Sequence, residues 1–386
     1  MHAYRLTLPH TLAHINLSPK EQAAVNFILR RTLHSVDAQE GWFINIHSDE
    51  WQSLLGSYDY KAVLESLARR GIIEINDRYS VGNWPKSYRL ADYHRTPNCI
   101  EVDAAPRQRP PLQIRLDPDD AVCWQLVGNF EKVLLPARSR FKGWNRLLIQ
   151  QIRGHQFYAT RCAYGRFHSS FTGLNKAARR LLTTLGGEPL WELDVSHAQP
   201  LMLPAMMLKA GYSIDKSTRH FILLCESGKM YDWIASICKK MGYTLKDCYQ
   251  PGTWGPHWEP QEIKRDPAKK AFIIVLFCPN EMMLGHPVFR VIEAEFPEVA
   301  QFMQDIKQVC HQQLARDCQR CESGIMIDQV CAYLMQQFGD IPLITVHDSI
   351  LTTERHIPHV ATAIRRFFGE MGINPGLKAN DILLCA

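Results

Sequence analysis

Apolar residues recur at helical spacing near the start of the chain. Ala23, Val25, Ile28 and Leu29 follow Ser18-Pro19-Lys20-Glu21, which has a serine N-cap, proline at the first helical position and glutamate three residues after the cap. This predicts a helix to about Leu33. Ser48-Asp49-Glu50 opens a second short helix ending near Gly56. A third runs from about Asp59, with Val63, Leu64 and Leu67 on one face, to a stop at Gly71. Residues 72–75, 79–81 and 87–90 then read as short strands around an Asn76-Asp77-Arg78 turn. From 96 to 112 the periodicity lapses and prolines accumulate, which predicts an extended linker. Beyond it, strand-like and helical patterns alternate irregularly, the texture of an α+β fold.

Composition narrows the class. At roughly 150 residues per domain, 386 residues suggest two or three domains. With 46% hydrophobic and 22% charged residues, a mainly disordered chain is excluded. The longest apolar run, residues 271–278, is far below the roughly 20 needed to span a bilayer, and the N-terminus lacks the build of a signal peptide. A cytoplasmic protein without a membrane partner is expected. Twelve cysteines are scattered; Cys318-x2-Cys321 lacks the second pair of a structural zinc site, so buried or indifferent thiols are expected. Lys+Arg 44 against Asp+Glu 39 gives only +5, yet basic clusters recur at Arg30-Arg31, Arg69-Arg70, Arg107 to Arg115, Arg138 to Arg146, Arg179-Arg180 and Lys264 to Lys270. Such recurrence suits a polyanion followed across several elements, and equally an ordinary solvated surface.

Three helices followed by a short hairpin resemble a winged-helix domain, placed at residues 1–95. The resemblance implies that the third helix enters a DNA groove and the hairpin touches backbone, with Lys61, Arg69, Arg70, Arg78 and Lys86 facing phosphates. A protein-binding or scaffold role is the alternative.

Three segments beyond the linker carry chemistry. Residues 188–195 read as a strand with Asp194 near its end, and Ser196-His197-Ala198-Gln199-Pro200 opens a helix. A carboxylate at a strand tip is well placed for a metal ion; helix capping is the alternative reading. Near the C-terminus, residues 342–354 read as a strand, a His347-Asp348 turn and a returning strand. An ordinary turn aspartate is the alternative there. The two aspartates meet only if these strands are neighbours in one sheet. Between them, residues 265–277 place Lys269, Ile273, Leu276 and Asn280 within about 60° on a helical wheel, with Phe277 beside them. That face has a cationic end and an apolar platform; an amphipathic core helix is the bland reading.

Aspartate at a strand end, a helix with R-x3-K-x7-F, and His-Asp in a hairpin together resemble motifs A, B and C of family A DNA polymerases and of the related single-subunit, phage-type RNA polymerases. Tyr164-Gly165-Arg166 upstream looks like the family's primer–template-gripping T-G-R segment. The resemblance spans about Gly165 to Leu351. It implies an antiparallel palm sheet with helical fingers at 161–386, behind a shortened thumb-like segment at 113–160. It also implies two-metal phosphoryl transfer with two Mg2+ ions, Mn2+ being a possible substitute. Asp194, Asp348 and the Val195 carbonyl would hold the ions, and Lys269 and Arg265 would contact the triphosphate. Ile273, Phe277 and Gln199 would line the nucleotide, while Arg166 and His347 would hold the primer end. DNA template and primer, dNTPs or NTPs and an accessory replication protein are the implied partners.

The chain departs from the family in places. Pro267 predicts a helix start at Asp266-Pro267, with Arg265 outside it, and Phe277-Cys278 replaces Tyr-Gly. Gln199 stands where the DNA polymerases carry glutamate and the RNA polymerases a small residue, which leans towards deoxynucleotides. His-Asp-Ser is closer to the RNA polymerases, so RNA polymerase or primase activity stays as an alternative to DNA synthesis. The small size suits short products in the replication of a phage or mobile element. An inactive DNA-binding regulator is the rival reading, and a nuclease using Glu192 as a third carboxylate is another.

Overall fold

The helix expected after Ser18 spans Pro19–Leu33 in the computed structural model, which describes residues 5–56, 59–78, 85–103, 114–135, 141–243, 265–308, 310–380 and 382–384, with the backbone alone at Val36, Arg265, Asp266 and Ile382–Leu384. The capping box forms as its residues predict: Ser18 N donates to Glu21 Oε2 at 2.8 Å and Glu21 N to Ser18 Oγ at 3.3 Å. The expected strand 79–81, residues 104–113, Arg138, Arg140 and Lys264 lie outside the described residues.

The architecture is α+β, helices with small and mostly antiparallel sheets. The chain divides into two compact units. The first holds residues 1–117, 130–160 and 168–187, and the second 118–129, 161–167 and 188–386. This division differs from boundaries at 95 and 112.

In the first unit, Pro19–Leu33, Ser48–Leu55 and Tyr60–Arg69 are the three expected helices. They pack with a sheet in the order Ile44–Asn45, Ser87–Leu90, Ile73–Asn76. Ala24, Val25, Ile28, Leu29, Trp51, Leu67 and Leu90 form the core. Part of the expected linker is ordered: Cys99–Asp103 pairs antiparallel with Arg5–Pro9, from Arg5↔Asp103 to Pro9↔Cys99. Its signal is a period of two, with Ile100 and Val102 against the core and Glu101 and Asp103 exposed, hidden by the prolines that follow. Helix Gly143–Arg153 buries Leu147, Leu148, Ile149 and Ile152, and Leu147 lies in the same core. Burial of this face groups residues 130–160 with the N-terminal helices.

The basic clusters here are partly internal. Arg30 is 3% exposed and donates to Gln156 O, and Arg31 pairs with Glu50. At the end of the first helix the His34 ring stacks on Tyr158, centroids 4.2 Å apart, and both its ring nitrogens are buried with no hydrogen-bond partner among the described residues. Burial, then Arg30 and Arg31, push its pKa from 6.5 down to about 3. The folded state therefore favours neutral His34, so its contribution to stability is complete above pH 6.5 and is lost as pH falls from there towards 3. Melting curves between pH 4 and 7.5 are expected to show a smaller acid-induced drop in His34→Phe than in wild type. Parallel curves would remove His34 as a source of acid sensitivity.

The second unit is built on a five-stranded antiparallel sheet, in the order Ile344–Val346, Ser349–Thr353, Leu190–Val195, Leu377–Ala379, Ile382–Leu384. Ser349–Thr353 is buried along its whole length, as a strand covered on both faces must be. Helix Ile357–Gly369 packs against this strand and against Leu190–Val195. The other helices include Ala198–Lys209, Arg265–Phe277, Pro297–Lys307 and Gln313–Ser323, the last running on through a π-helical turn, Gly324–Cys331. Among the described residues no helix is long and apolar enough to cross a membrane.

Candidate active site

The strands bearing Asp194 and Asp348 are direct neighbours. Asp194 lies opposite Ser349 in the register, and Val195 N donates to Asp348 O at 3.2 Å. The two aspartates, far apart in sequence, therefore stand at adjacent backbone positions at one end of the sheet. Both chain segments turn there through a left-handed histidine, His347 at φ 55° and His197 at φ 57°. Histidine is among the side chains that tolerate this region, and such conformations cluster at functional sites.

The field around Asp348 joins the remaining motifs. Burial pushes its carboxyl above the ordinary range; its own backbone N–H, Lys269 and Arg166 pull it back, and Glu192 pushes it further up. Glu192 is not a solvated strand residue: it is 7% exposed and accepts from Ser349 Oγ at 3.1 Å. The donor set suits a hard divalent cation, since it is oxygen only and one carboxylate is desolvated beside a further negative group. Among the described residues no three His, Cys, Asp or Glu side chains cluster as a metal site. Cys318 and Cys321 sit on helix Gln313–Ser323, with burial raising the first thiol well above its usual value and the second to about 11.

Helix Arg265–Phe277 includes Arg265, with Pro267 in its first turn, where a missing N–H costs nothing. The expected start at Asp266-Pro267 is thus corrected. Lys269 and Phe277 are exposed on this helix, Phe277 to 43%, with Ile273 half-buried between them at the same four-residue spacing. Leu276 belongs to the core instead, and Asn280 starts a separate helix, Asn280–Gly285. Buried Lys307 fixes the far end of the Arg265–Phe277 helix. Its Nζ donates to Val275 O at 2.8 Å and Leu276 O at 3.2 Å, a cation satisfying terminal carbonyls.

Arg166 and Gln199 share a partner that the sequence did not disclose. Arg166 Nε donates to Glu322 Oε1 at 3.0 Å, and Nη2 to Oε1 and Oε2 at 2.8 and 3.0 Å. Gln199 Nε2 donates to Glu322 Oε2 at 2.5 Å. Glu322 is 2% exposed; burial pushes its pKa up to about 7, against the pull of Arg166. The Arg166 hairpin is clamped on helix 313–323. Tyr164 lies beneath Arg316 and Arg320, Arg161 pairs with Asp120 and Asp328, and a Cβ on Gly165 would come within 3.2 Å of Ser323 Cβ. Nothing in the run Gln319-Arg320-Cys321-Glu322-Ser323 marks Glu322 out from an ordinary helical glutamate.

In the first unit, Lys61, Arg69 and Arg78 are exposed, and among the described residues no carboxylate pairs with them. Arg70 instead donates to Glu21 and to Asn16 O, closing the contact between its helix and the first, and Lys86 pairs with Asp77.

No protein-family model matches the chain, and no curated protein matches it. Among solved structures it is similar to the POL domain of Pol1 from M. smegmatis, a complex with DNA primer-template and dNTP. The TM-score is 0.41 and the identity 12%, covering 96% of this chain and 71% of that one. A likeness of that score and identity says nothing of what this chain binds or does.

Proposed function

We propose that the second unit is a template-directed nucleotidyltransferase of the family A polymerase kind, a DNA polymerase in preference to an RNA polymerase or primase. The observation that carries this reading is the meeting of Asp194 and Asp348 on adjacent strands, within the field of Lys269 and Arg166. The five-stranded sheet would be the palm, and helix Arg265–Phe277 the nucleotide-facing part of the fingers. Asp194, Asp348 and the Val195 carbonyl would hold Mg2+, which supplies charge neutralisation at the attacking and leaving oxygens. Lys269, with Arg265, binds and orients the triphosphate, and Phe277 offers a surface for the incoming base. Arg166 and His347 position the primer end. The first unit is a winged helix that brings the enzyme to DNA through Lys61, Arg69 and Arg78. Short products in phage or mobile-element replication, with an accessory protein, are the setting proposed for it.

The test is incorporation of labelled dNTPs or NTPs with Mg2+ on single-stranded and on primed DNA, with a degradation assay beside it. Template-dependent extension with one sugar class is the expected result. Degradation without extension would replace this reading by a nuclease, and DNA binding with neither by a regulator.

A further inference from the structure

Resting on that reading, we propose that His197 is a positioning residue: its ring ties the Asp194 strand end to helix Arg265–Phe277 and so holds the metal-binding carboxylate in place against Lys269. The chain leaves strand Leu190–Val195, is held at Ser196 by the bond from its N–H to Gly376 O, and enters helix Ala198–Lys209 through His197 at φ 57° and ψ 36°. The His197 ring is 6% exposed and lies over Tyr231 of helix Met230–Lys240, with centroids 4.4 Å apart and planes at 33°. Tyr231, itself 2% exposed, meets Phe272 edge-on, with centroids 6.0 Å apart and planes at 67°. Phe272 is fully buried and stands one turn on from Lys269 in helix Arg265–Phe277. Three rings thus run in contact from the turn beyond Asp194 to the helix that bears Lys269.

Backbone strain at residue 197 points to the ring as what is needed there. A left-handed turn alone is made most readily by glycine, and any side chain strains it. Here an imidazole is kept in that conformation and packed on more than one side: a Cβ on Gly228 would lie 3.7 Å from both Cε1 and Nδ1 of the ring. A close-packed interior has low compressibility and transmits strain, so a shift of helix Arg265–Phe277 reaches the Asp194 strand end through these rings. Lys269 in turn acts electrostatically on Asp348, whose strand neighbours that of Asp194.

The experiment is a double-mutant cycle on extension of a primed oligo-dT template with dATP and, separately, ATP. It uses His197→Asn, His197→Phe, Lys269→Ala and each His197 change combined with Lys269→Ala. Asparagine keeps the left-handed turn without the ring, and phenylalanine keeps a ring. His197→Asn is expected to lower kcat/KM about tenfold or more, with His197→Phe recovering most of the loss. With Lys269 already removed, the same asparagine change is expected to cost at least about fivefold less. A purely structural role would lower Tm and give equal losses in both backgrounds. Tyr231→Leu breaks the same run of rings and is expected to show the same non-additivity, which keeps the test decisive should His197→Asn not fold. Equal losses in the two backgrounds, or a folded His197→Phe as impaired as His197→Asn, overturn the inference. Affinity for dATP and ATP is measured alongside, in Mg2+ and in EDTA; Mg2+ is expected to strengthen binding, and less so in His197→Asn. Where Lys269→Ala extends too slowly to follow, the cycle is read in these affinities. Mg2+-strengthened binding without incorporation by wild type overturns the polymerase reading and leaves this inference to the affinity cycle. Binding of neither nucleotide overturns both.

Discussion

Asp348→Asn is expected to abolish Mg2+-dependent incorporation while leaving the protein folded and, in EDTA, at least as heat-stable as wild type. The activity loss follows from the position of the carboxylate beside Asp194. Charge stabilisation by bound metal is worth several kcal/mol, and ~1.4 kcal/mol is tenfold in rate, so a loss of about 10³-fold or more is expected. The stability gain follows from the surroundings. Burial and Glu192 disfavour the Asp348 charge more than its own backbone N–H, Lys269 and Arg166 favour it. Asparagine keeps the shape of the turn without the charge. An ordinary turn aspartate would show the reverse, a lower Tm with activity retained. Asp194→Asn, on the neighbouring strand, is expected to match it in activity.

Gly376→Ala is expected to damage both stability and activity without touching a catalytic group. A Cβ at this position would stand 2.5 Å from Glu226 O, a backbone atom that no rotamer change can move aside. The same stretch is fixed twice more: Ser196 N donates to Gly376 O at 2.8 Å, and Asn374 N to Glu226 Oε1 at 2.6 Å. Overpacking of this kind costs about 1–3 kcal/mol, which for a unit of this size lowers Tm by roughly 2–12 °C. Ser196 lies two residues beyond Asp194, so the displaced backbone carries the strand end with it. A misplacement near 1 Å costs about 10²-fold in rate. Thermal melting and incorporation measured on the same preparation check both effects; an unchanged Tm would mean that the Gly376–Glu226 approach is looser than the structure has it.

Much of the local structure was legible beforehand because its causes lie within a few residues. Ser18 and Glu21 cap a helix three positions apart, and the hairpin around His347-Asp348 is announced by apolar residues on either side of a polar pair. The errors have a common origin. Arg30 read as a surface cation because its partner, Gln156 O, is 126 residues away; Arg70 stays exposed, and only its pairing with Glu21, 49 residues away, was hidden. Leu276 was placed on the open face of its helix because a wheel records angle and not which side meets neighbours. The strand Cys99–Asp103 was hidden because its two-residue period is short and its partner lies at the opposite end of the unit.

Sequence by itself thus determined where the three N-terminal helices lie, and that carboxylates sit at two strand tips with a cationic helix between them. Whether those carboxylates meet depended on strand register, since a one-residue slip would turn Asp194 to the other face of the sheet. Only the tertiary structure put Glu322 beneath both Arg166 and Gln199, and only it buried Glu192 against Ser349. Local propensity acts over three or four residues along the chain. Desolvation and hydrogen bonding of a buried charge are settled by whichever distant segments close around it.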